Sequence, residues 1–418
     1  MLRFFSISLF LIVCFFPIYS QPAELIVIDL VNPQVETIPM SRLFNDYIEY
    51  VPLNTNEFCS MEKRASYYLT SQYIIGVNTF KDAYLFDRKT GDYIKQISKE
   101  GTGENEYRRF PIGSYGFDEK NNILYFHDLN QWKGFAIQGD KKVTKITMPK
   151  YSNQVLTLPK EVGGAIRQEN DISLNKNNDW HKGEIHNPYP YGNDKYIGYV
   201  NNTTGDVAVS LVIFDKQGQV LKYFPNSHKY VKTSKMNPLY YGKFYDYHNR
   251  VYFMETYGDT LFAVYPDRIE PHIVFNMGDK KISYEEAVEN VTYTYGRYDI
   301  QLVKETNSYV FFTYNVCWGA ADNTVLVCGY YDKNLKKTYV CKTLDGRAGF
   351  LNDIDGLSDF NPLLITNKDE FLGVISPDDL SLISTDSISK RGIEIITQAK
   401  SMHAPIIIIV HLIEFKCK

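Results

Sequence analysis

The chain has 418 residues, of which 44% are hydrophobic and 15% aromatic, including 34 tyrosines and 25 phenylalanines. This composition is typical of a globular protein with a buried core, and its aromatic weighting favours an all-β fold. The formal net charge is -4, so the chain has no excess of the basic residues that bind the phosphate backbone of nucleic acids. We therefore expect no nucleic-acid partner.

The N-terminus predicts a secretory signal peptide. Arg3 gives it a basic start, an apolar run covers Phe4–Phe16, and the small residue Ser20 precedes the expected cleavage point. We therefore expect residues 1–20 to be removed and residues 21–418 to form a single exported domain, in the periplasm or at the outer membrane.

Two alternatives to a signal peptide are weaker. A membrane-spanning helix needs about 20 apolar residues, more than this run supplies. Lipid attachment at Cys14 would make a lipoprotein, but such sites require a small residue where Val13 stands. We expect no transmembrane span in the mature chain.

A sequence motif recurs along the chain: an apolar run, Asp, a basic residue, a Gly or turn, and a second apolar run. Its copies are Tyr84–Ile94, Val212–Leu221 and, with a looser turn, Tyr330–Asn334, with degraded relatives at Phe135–Asp140 and Phe262–Asp267. Each copy predicts a β-hairpin. Hairpins that recur at tens of residues indicate a propeller or a solenoid.

Strands are predicted first at Leu25–Leu30 and Tyr47–Leu53, with a helical turn at Ser41–Phe44 between them. Groups of short strands follow, at Ser66–Ser98, Gly113–Met148, Tyr196–Phe224, Lys243–Phe275, Ile300–Lys342 and Pro362–Leu412. Helices are predicted at Ser283–Val291, with Ser283 as N-cap, and at Gly392–Lys400.

Two of the six groups are incomplete. The third group needs an innermost strand, which we expect between Val155 and Ile172, and we expect Asn175–Asn187 to be a loop. The sixth group has three strands, and Tyr47–Leu53 or Leu25–Leu30 could supply the fourth. Closing a ring with both chain ends removes exposed sheet edges. The sequence therefore predicts a six-bladed β-propeller with four-stranded antiparallel blades; a β-sandwich array is the alternative.

Four segments resemble a family of exported six-bladed β-propeller proteins common in Bacteroidetes, many of them lipoproteins. They are Gly101–Arg108, where Asn105 replaces the usual Gly, Gly258–Phe262, Leu351–Gly356 and Ala399–Leu412. The resemblance implies the propeller fold and an envelope location, and it implies no established reaction.

Two predicted loops cross from the outer strand of one blade to the inner strand of the next. Together with one predicted inner strand they carry our candidate ligand-binding residues: Glu104, Glu106, Arg108 and Arg109 in the first loop, Asp353 and Asp355 in the second, and Asp246 and His248 near the channel. Carboxylates and arginine forks suit a polar ligand or peptide. The alternative is that Asp and Gly cap turns and Arg pairs with them.

The sequence shows no metal or catalytic motif. Calcium needs about six oxygen ligands, which Asp353 and Asp355 do not establish. No HExxH or GxSxG occurs, and we expect no cofactor. Cys328 and Cys341 lie on two arms of one predicted hairpin and could form a disulfide; two buried thiols are the alternative.

We therefore predict a non-catalytic, monomeric, exported binding module that holds a protein, peptide or glycan on one face. The alternative is a propeller hydrolase, either metal-dependent and lactonase-like or polysaccharide-active, with its site in the central channel. That class needs three or four converging side chains. The predicted inner strands Tyr115–Phe117, Ile300–Val303 and Pro362–Ile365 offer few.

Overall fold

The structure is a computed structural model of the chain. It describes residues 24–55, 59–62, 65–78, 82–104, 106–107, 115–128, 131–138, 143–149, 185–202, 205, 207–231, 242–283, 286–287, 296–316, 325–343, 348–381, 383 and 388–413. In these ranges no helix combines the length and the apolar character needed to cross a bilayer. The expected signal peptide and Cys14 lie outside the described residues.

Six antiparallel sheets are arranged in a ring, so the chain is a six-bladed β-propeller, as predicted. The first strand of a blade lies innermost, where the first strands of blades 2 and 3 contact each other. Blade 1 contains Ser66–Leu69, Tyr73–Val77, Ala83–Asp87 and Tyr93–Ser98; blade 2 contains Tyr115–Asp118, Ile123–Asp128, Gln131–Ala136 and Val143–Thr147; blade 3 contains Ile185–Pro190, Lys195–Val200, Val209–Asp215 and Val220–Pro225.

The second half of the ring follows the same order. Blade 4 contains Lys243–Tyr247, Arg250–Met254, Thr260–Val264 and Ile269–Asn276; blade 5 contains Tyr298–Glu305, Tyr309–Val316, Val325–Asp332 and Lys337–Cys341; blade 6 contains Leu364–Ile365, Glu370–Ile375 and Ile406–His411. The fourth strand of blade 6 comes from the N-terminal part of the chain.

That closing strand is Glu49–Pro52, which pairs antiparallel with Ile406–His411. This confirms closure by the second N-terminal strand. The first, Ile26–Asp29, instead pairs parallel with Ile269–Asn276 as a fifth strand of blade 4. A short strand that the sequence did not predict, Gln34–Glu36, pairs parallel with blade 5 in the same way.

The innermost strand of blade 3 was placed wrongly. It is Ile185–Pro190, whereas the segment from Val155 to Ile172 lies outside the described residues. This strand contains Pro188 and Pro190 and bulges between His186 and Tyr189. Proline and polar residues are typical of loops, so the pattern predicted a loop through residue 187 where the strand begins.

The Asp of the recurring sequence motif caps the turn of the hairpin in its three clear copies. The carboxylate Oδ1 accepts hydrogen bonds from two turn N–H groups in every copy, at 2.8–3.0 Å: Asp87 from Lys89 and Thr90, Asp215 from Gln217 and Gln219, and Asp332 from Asn334 and Leu335. An Asp side chain in this role mimics a backbone turn. Turn formation therefore explains why Asp recurs in this motif.

Gly91 gives a first prediction. Its φ is +75°, and a Cβ at this position would overlap the carbonyl oxygen of Pro52 in the closing strand. Gly192 has a similar φ of +80° with open space around it. We expect Gly192→Ala to lower the free energy of unfolding by about 1–2 kcal/mol through backbone strain. Gly91→Ala should lower it by a further 1–3 kcal/mol or so through overlap.

Urea unfolding of the two variants checks this prediction. Equal losses for Gly91→Ala and Gly192→Ala would mean that the turn of blade 1 does not pack against the closing strand. The comparison separates conformational strain, which both variants share, from the seam contact, which only one has.

The predicted C-terminal helix is present at Lys390–Met402, with the Ser389 hydroxyl accepting from the Gly392 N–H. A short helix at Pro377–Leu380 precedes it, and single 3-10 turns lie at Met40–Arg42 and Gly278–Lys280. Ser283 caps as predicted: its hydroxyl accepts from the Glu286 N–H, and the Glu286 carboxylate accepts from the Ser283 N–H. This reciprocal pair is a capping box.

Candidate functional site

The fold divides the loops between two faces. Each blade is an antiparallel meander, so the turn from its first to its second strand lies at the opposite end from the crossing that enters it. We call these ends the turn face, which carries residues 119–122 and 306–308, and the crossing face, which carries residues 99–104, 106–107 and 348–363. The predicted site residues are split between the two faces.

On the turn face, five residues from five blades are linked by hydrogen bonds of their side chains and backbone, and we call them the channel-mouth cluster. Its members are Glu119, Tyr189, Asp246, Lys304 and Asn367, from blades 2 to 6 in that order. The Tyr189 hydroxyl donates to Asp246 Oδ2 at 2.8 Å. The Asn367 N–H donates to both Glu119 carboxylate oxygens at 3.1 Å each, across 248 residues of sequence.

Lys304 connects the two halves of the cluster. Its buried ammonium donates to the Asp246 carbonyl at 3.1 Å and to Asn367 Oδ1 at 2.5 Å. It also lies 5.4 Å from the centre of the Tyr245 ring, a cation–π distance. Since these partners come from blades 4 and 6, on either side of blade 5, Lys304 fixes the relative positions of groups from three blades around the channel.

Burial shifts the ionisation of the cluster. It raises the pKa of Glu119 and of Asp246, against the Asn367 N–H and the Tyr189 hydroxyl that stabilise the respective carboxylates. Burial lowers the pKa of Lys304. Each shift favours the uncharged form. The cluster is therefore better suited to hydrogen bonding with a neutral polar ligand than to holding an ion.

An amide side chain stands in the first turn of each of blades 2 to 6. These residues are Asn122, Asn193, Asn249, Asn307 and Asn367, and all but the half-buried Asn122 are exposed. Positive φ values at Asn122 and Asn249 are a turn requirement that Asn tolerates well. The other three have no such requirement. Together the amides give the mouth a rim of alternating donors and acceptors.

Two predicted candidates lie at this mouth. Asp246 belongs to the cluster. His248 is exposed at the rim, where its ring stacks 4.0 Å from that of Tyr247 and its Nε2 lies 3.1 Å from Asn307 Oδ1. The structure thus brings Asp246 and His248 to the same end of the channel, and their role in binding remains a prediction.

The crossing between blades 1 and 2 carries the next candidates. Glu104 is exposed and lies 3.5 Å from the Lys145 ammonium. Glu106 accepts the Gly103 N–H at 2.9 Å, as a turn-capping carboxylate does. Arg108 and Arg109 lie outside the described residues. The ligand role of this loop remains a prediction.

Asp353 and Asp355 fasten the N-terminal segment to the last crossing. Asp353 accepts from the Ser41 N–H at 3.0 Å and from the Ser41 hydroxyl. Asp355 accepts from the Tyr50 hydroxyl at 2.9 Å and from the Asn352 amide at 2.8 Å. No hydrogen bond or ion pair that the structure describes joins these two residues to Glu104 or Glu106.

Cys328 and Cys341 are buried free thiols in the structure, so the disulfide of the prediction is not formed here. The Cys328 thiol donates to Asn361 Oδ1 at 3.3 Å. Across the described ranges, no three His, Cys, Asp or Glu side chains are grouped so that they could hold a metal ion.

The sequence reasoning missed Glu119, Tyr189, Lys304 and Asn367. Three of these lie within two residues after the predicted inner strand segments Tyr115–Phe117, Ile300–Val303 and Pro362–Ile365. The signal for them is a polar side chain at the end of an inner strand, where the strand approaches its turn. Tyr189 was hidden because its strand was placed elsewhere.

Comparison with known proteins agrees with the fold. A family model described as a domain of unknown function (DUF4934) matches residues 25–411. A crystal structure of a candidate exported protein from Bacteroides fragilis NCTC 9343 is 14% identical, with a TM-score of 0.61, and the match covers 94% of this chain and 100% of that one. The expected six-bladed propeller family is thereby confirmed.

Two further structures are more distant. A computationally designed protein is 11% identical over 68% of this chain and 61% of its own, with a TM-score of 0.32. The WD40 domain of Neurospora crassa Pan2 is 9% identical over 73% of each chain, with a TM-score of 0.35. A search of curated proteins gave no match.

Proposed function

The chain belongs to the DUF4934 family, and we propose that it is an exported binding protein of the cell envelope, without catalytic activity, that holds a glycan at its channel mouth. Convergence of polar groups from five blades on one mouth carries the proposal. Export is supported by the N-terminal signal pattern and by the similar Bacteroides fragilis structure, which is described as a candidate exported protein.

Hydroxyl groups of a sugar both donate and accept hydrogen bonds, and so do the amides of the rim. The carboxyl groups of the cluster add acceptors, and the stacked Tyr247 and His248 rings add a flat aromatic surface beside them. A neutral oligosaccharide matches this set better than a peptide does, because a peptide bond offers one donor and one acceptor per residue.

Amide removal at the rim tests the proposal. We expect the protein without residues 1–20 to bind members of an array of neutral oligosaccharides. Asn193→Ala and Asn307→Ala should each weaken binding about 2- to 10-fold, the equivalent of a hydrogen bond worth 0.5–1.5 kcal/mol. Asn334→Ala is the matched control, because Asn334 is an exposed amide in an outer turn on the same face.

Unchanged affinity in both rim variants would place the glycan elsewhere. Binding of peptides in preference to every oligosaccharide would replace the glycan with a protein or peptide partner. Absence of both would contradict the binding function itself. Calorimetry with the best ligand of the array gives the affinities.

One observation favours a hydrolase as the second candidate. Two carboxyl groups, those of Glu119 and Asp246, lie in one cluster, and burial raises the pKa of both, which is the direction that a general acid requires. Turnover of oligosaccharides that Glu119→Gln abolishes while affinity is retained would establish this activity in place of pure binding.

A further inference from the structure

A cavity lies on the face opposite the channel mouth. It has a volume of about 320 Å³ on the crossing face, between the segment that enters blade 1 and the helical connection of blade 6. Nine residues line it, and four of them carry atoms that can bind a soft metal: the sulfur atoms of Cys59, Met61 and Met402 and the imidazole of His403. The entire chain has only 8 Met, 6 Cys and 8 His among 418 residues, so this concentration is well above chance.

Two of the four donors are uncommitted. Cys59 is 1% exposed, and the structure gives its thiol no hydrogen-bond partner among the described residues. The exposed His403 imidazole likewise has no side-chain hydrogen bond in the described part of the chain. A buried thiol packs as a small apolar group, as Cys59 does here, so its sulfur is not held by another polar group of the described residues and is available as a metal donor at the cavity wall.

Both sides of the cavity are held in place. Asn78, 3% exposed, donates to the Ser60 carbonyl at 2.8 Å and accepts the Glu62 N–H at 2.9 Å, so it clamps the backbone on either side of Met61. The Met61 thioether packs against Gly76, where a Cβ would meet its sulfur at 2.9 Å. On the other side, the Thr55 hydroxyl donates to the Met402 carbonyl at 3.4 Å.

We propose that this cavity binds Cu(I) through the Cys59 thiolate, the Met61 and Met402 thioethers and the His403 imidazole. Thiolate and thioether ligands select Cu(I) among biological metals. Zinc sites use Cys, His and carboxylate ligands, and although Asp378 also lines the cavity, no three such side chains in the described part of the chain are grouped to hold a metal, which disfavours zinc here. Binding displaces the thiol proton into solvent. The site lies on the face opposite the glycan site, so either proposal can fail without the other.

Titration of the full mature chain with Cu(I), under anaerobic conditions and against a chromophoric Cu(I) chelator, tests the proposal. We expect one tightly bound equivalent. Met61→Leu, Met402→Leu and Cys59→Ser should each weaken binding roughly tenfold or more, since even outer-shell partners of a metal contribute 10- to 100-fold. Met254→Leu is the matched control, a buried methionine in blade 4.

Equal Cu(I) affinity in the two methionine variants and the control would overturn the proposal, and so would binding that survives Cys59→Ser unchanged. A measurement on the unmutated protein covers the case in which a variant fails to fold. With methionine methyl groups labelled with ¹³C, addition of Ag(I), a redox-inert substitute for Cu(I), should shift the Met61 and Met402 signals. Shifts confined to other methionines, or none, would overturn it.

Discussion

Replacing Phe44 with alanine should lower the free energy of unfolding by about 3–5 kcal/mol, the range for a fully buried aromatic side chain. Phe44 has no exposed surface. Its ring centre lies 5.0–6.3 Å from four other rings: Phe371, Phe360, Phe350 and Phe311. These belong to blade 5, blade 6 and the crossing between them, so the cavity would open where the ring of blades is closed.

Tyr47→Ala is the matched control, because Tyr47 is an aromatic residue of the same N-terminal segment that is 57% exposed. We expect it to change stability by less than about 1 kcal/mol, as surface substitutions usually do. Guanidinium unfolding monitored by fluorescence gives both values. A loss for Phe44→Ala as small as that for Tyr47→Ala would show that the N-terminal segment is not part of the cooperative core.

The packing of Phe44 also shows which part of the fold the sequence does not predict, namely contacts between segments that are far apart in the chain. Alternating apolar residues and turn signals identified nearly every strand of blades 1, 2, 4 and 5, because local pattern and turn chemistry act within one hairpin. The N-terminal strands that pair in parallel with blades 4 and 5 depend on partners more than 200 residues away. No local pattern specifies such a pairing.

The candidate site was less predictable than the fold for a related reason. Asp246 was identified because it lies within a recognisable strand. Lys304, Asn367 and Glu119 form part of a site only because hydrogen bonds link them across three different blades. The turn residues Asp353 and Asp355 attracted attention as carboxylates in a crossing loop, yet their contacts bind the chain to itself. Residue type indicates chemistry, but only the closed ring determines which groups meet.

A second large effect is expected at Glu305, whose carboxylate is 3% exposed at the contact between blades 4 and 5. Its oxygens lie 2.6 Å from the Lys333 ammonium and 2.7 Å from the His272 Nε2. Glu305→Gln keeps the size of the side chain but leaves the Lys333 charge uncompensated. We expect a loss of about 3–5 kcal/mol in the free energy of unfolding, the range for breaking a buried ion pair.

The same contact predicts a dependence on pH. Burial alone would raise the pKa of Glu305, but the hydrogen bonds from His272 and Lys333 hold it below the ordinary glutamate value of 4.5. A carboxylate with a lowered pKa stabilises the fold fully above the unfolded value and loses that contribution as pH falls through the folded value. The stability of the unmutated protein should therefore decline below pH 4.5 more steeply than that of Glu305→Gln.

The double variant Glu305→Gln, Lys333→Met distinguishes lost charge compensation from a general packing defect. Replacing both partners of a buried pair with neutral groups is often nearly neutral. We therefore expect the double variant to recover most of the stability that Glu305→Gln loses, since the Tyr247 hydroxyl still donates to the Thr306 carbonyl that Lys333 also contacts. A double variant as unstable as the single one would show that the loss in Glu305→Gln does not come from the uncompensated Lys333 charge.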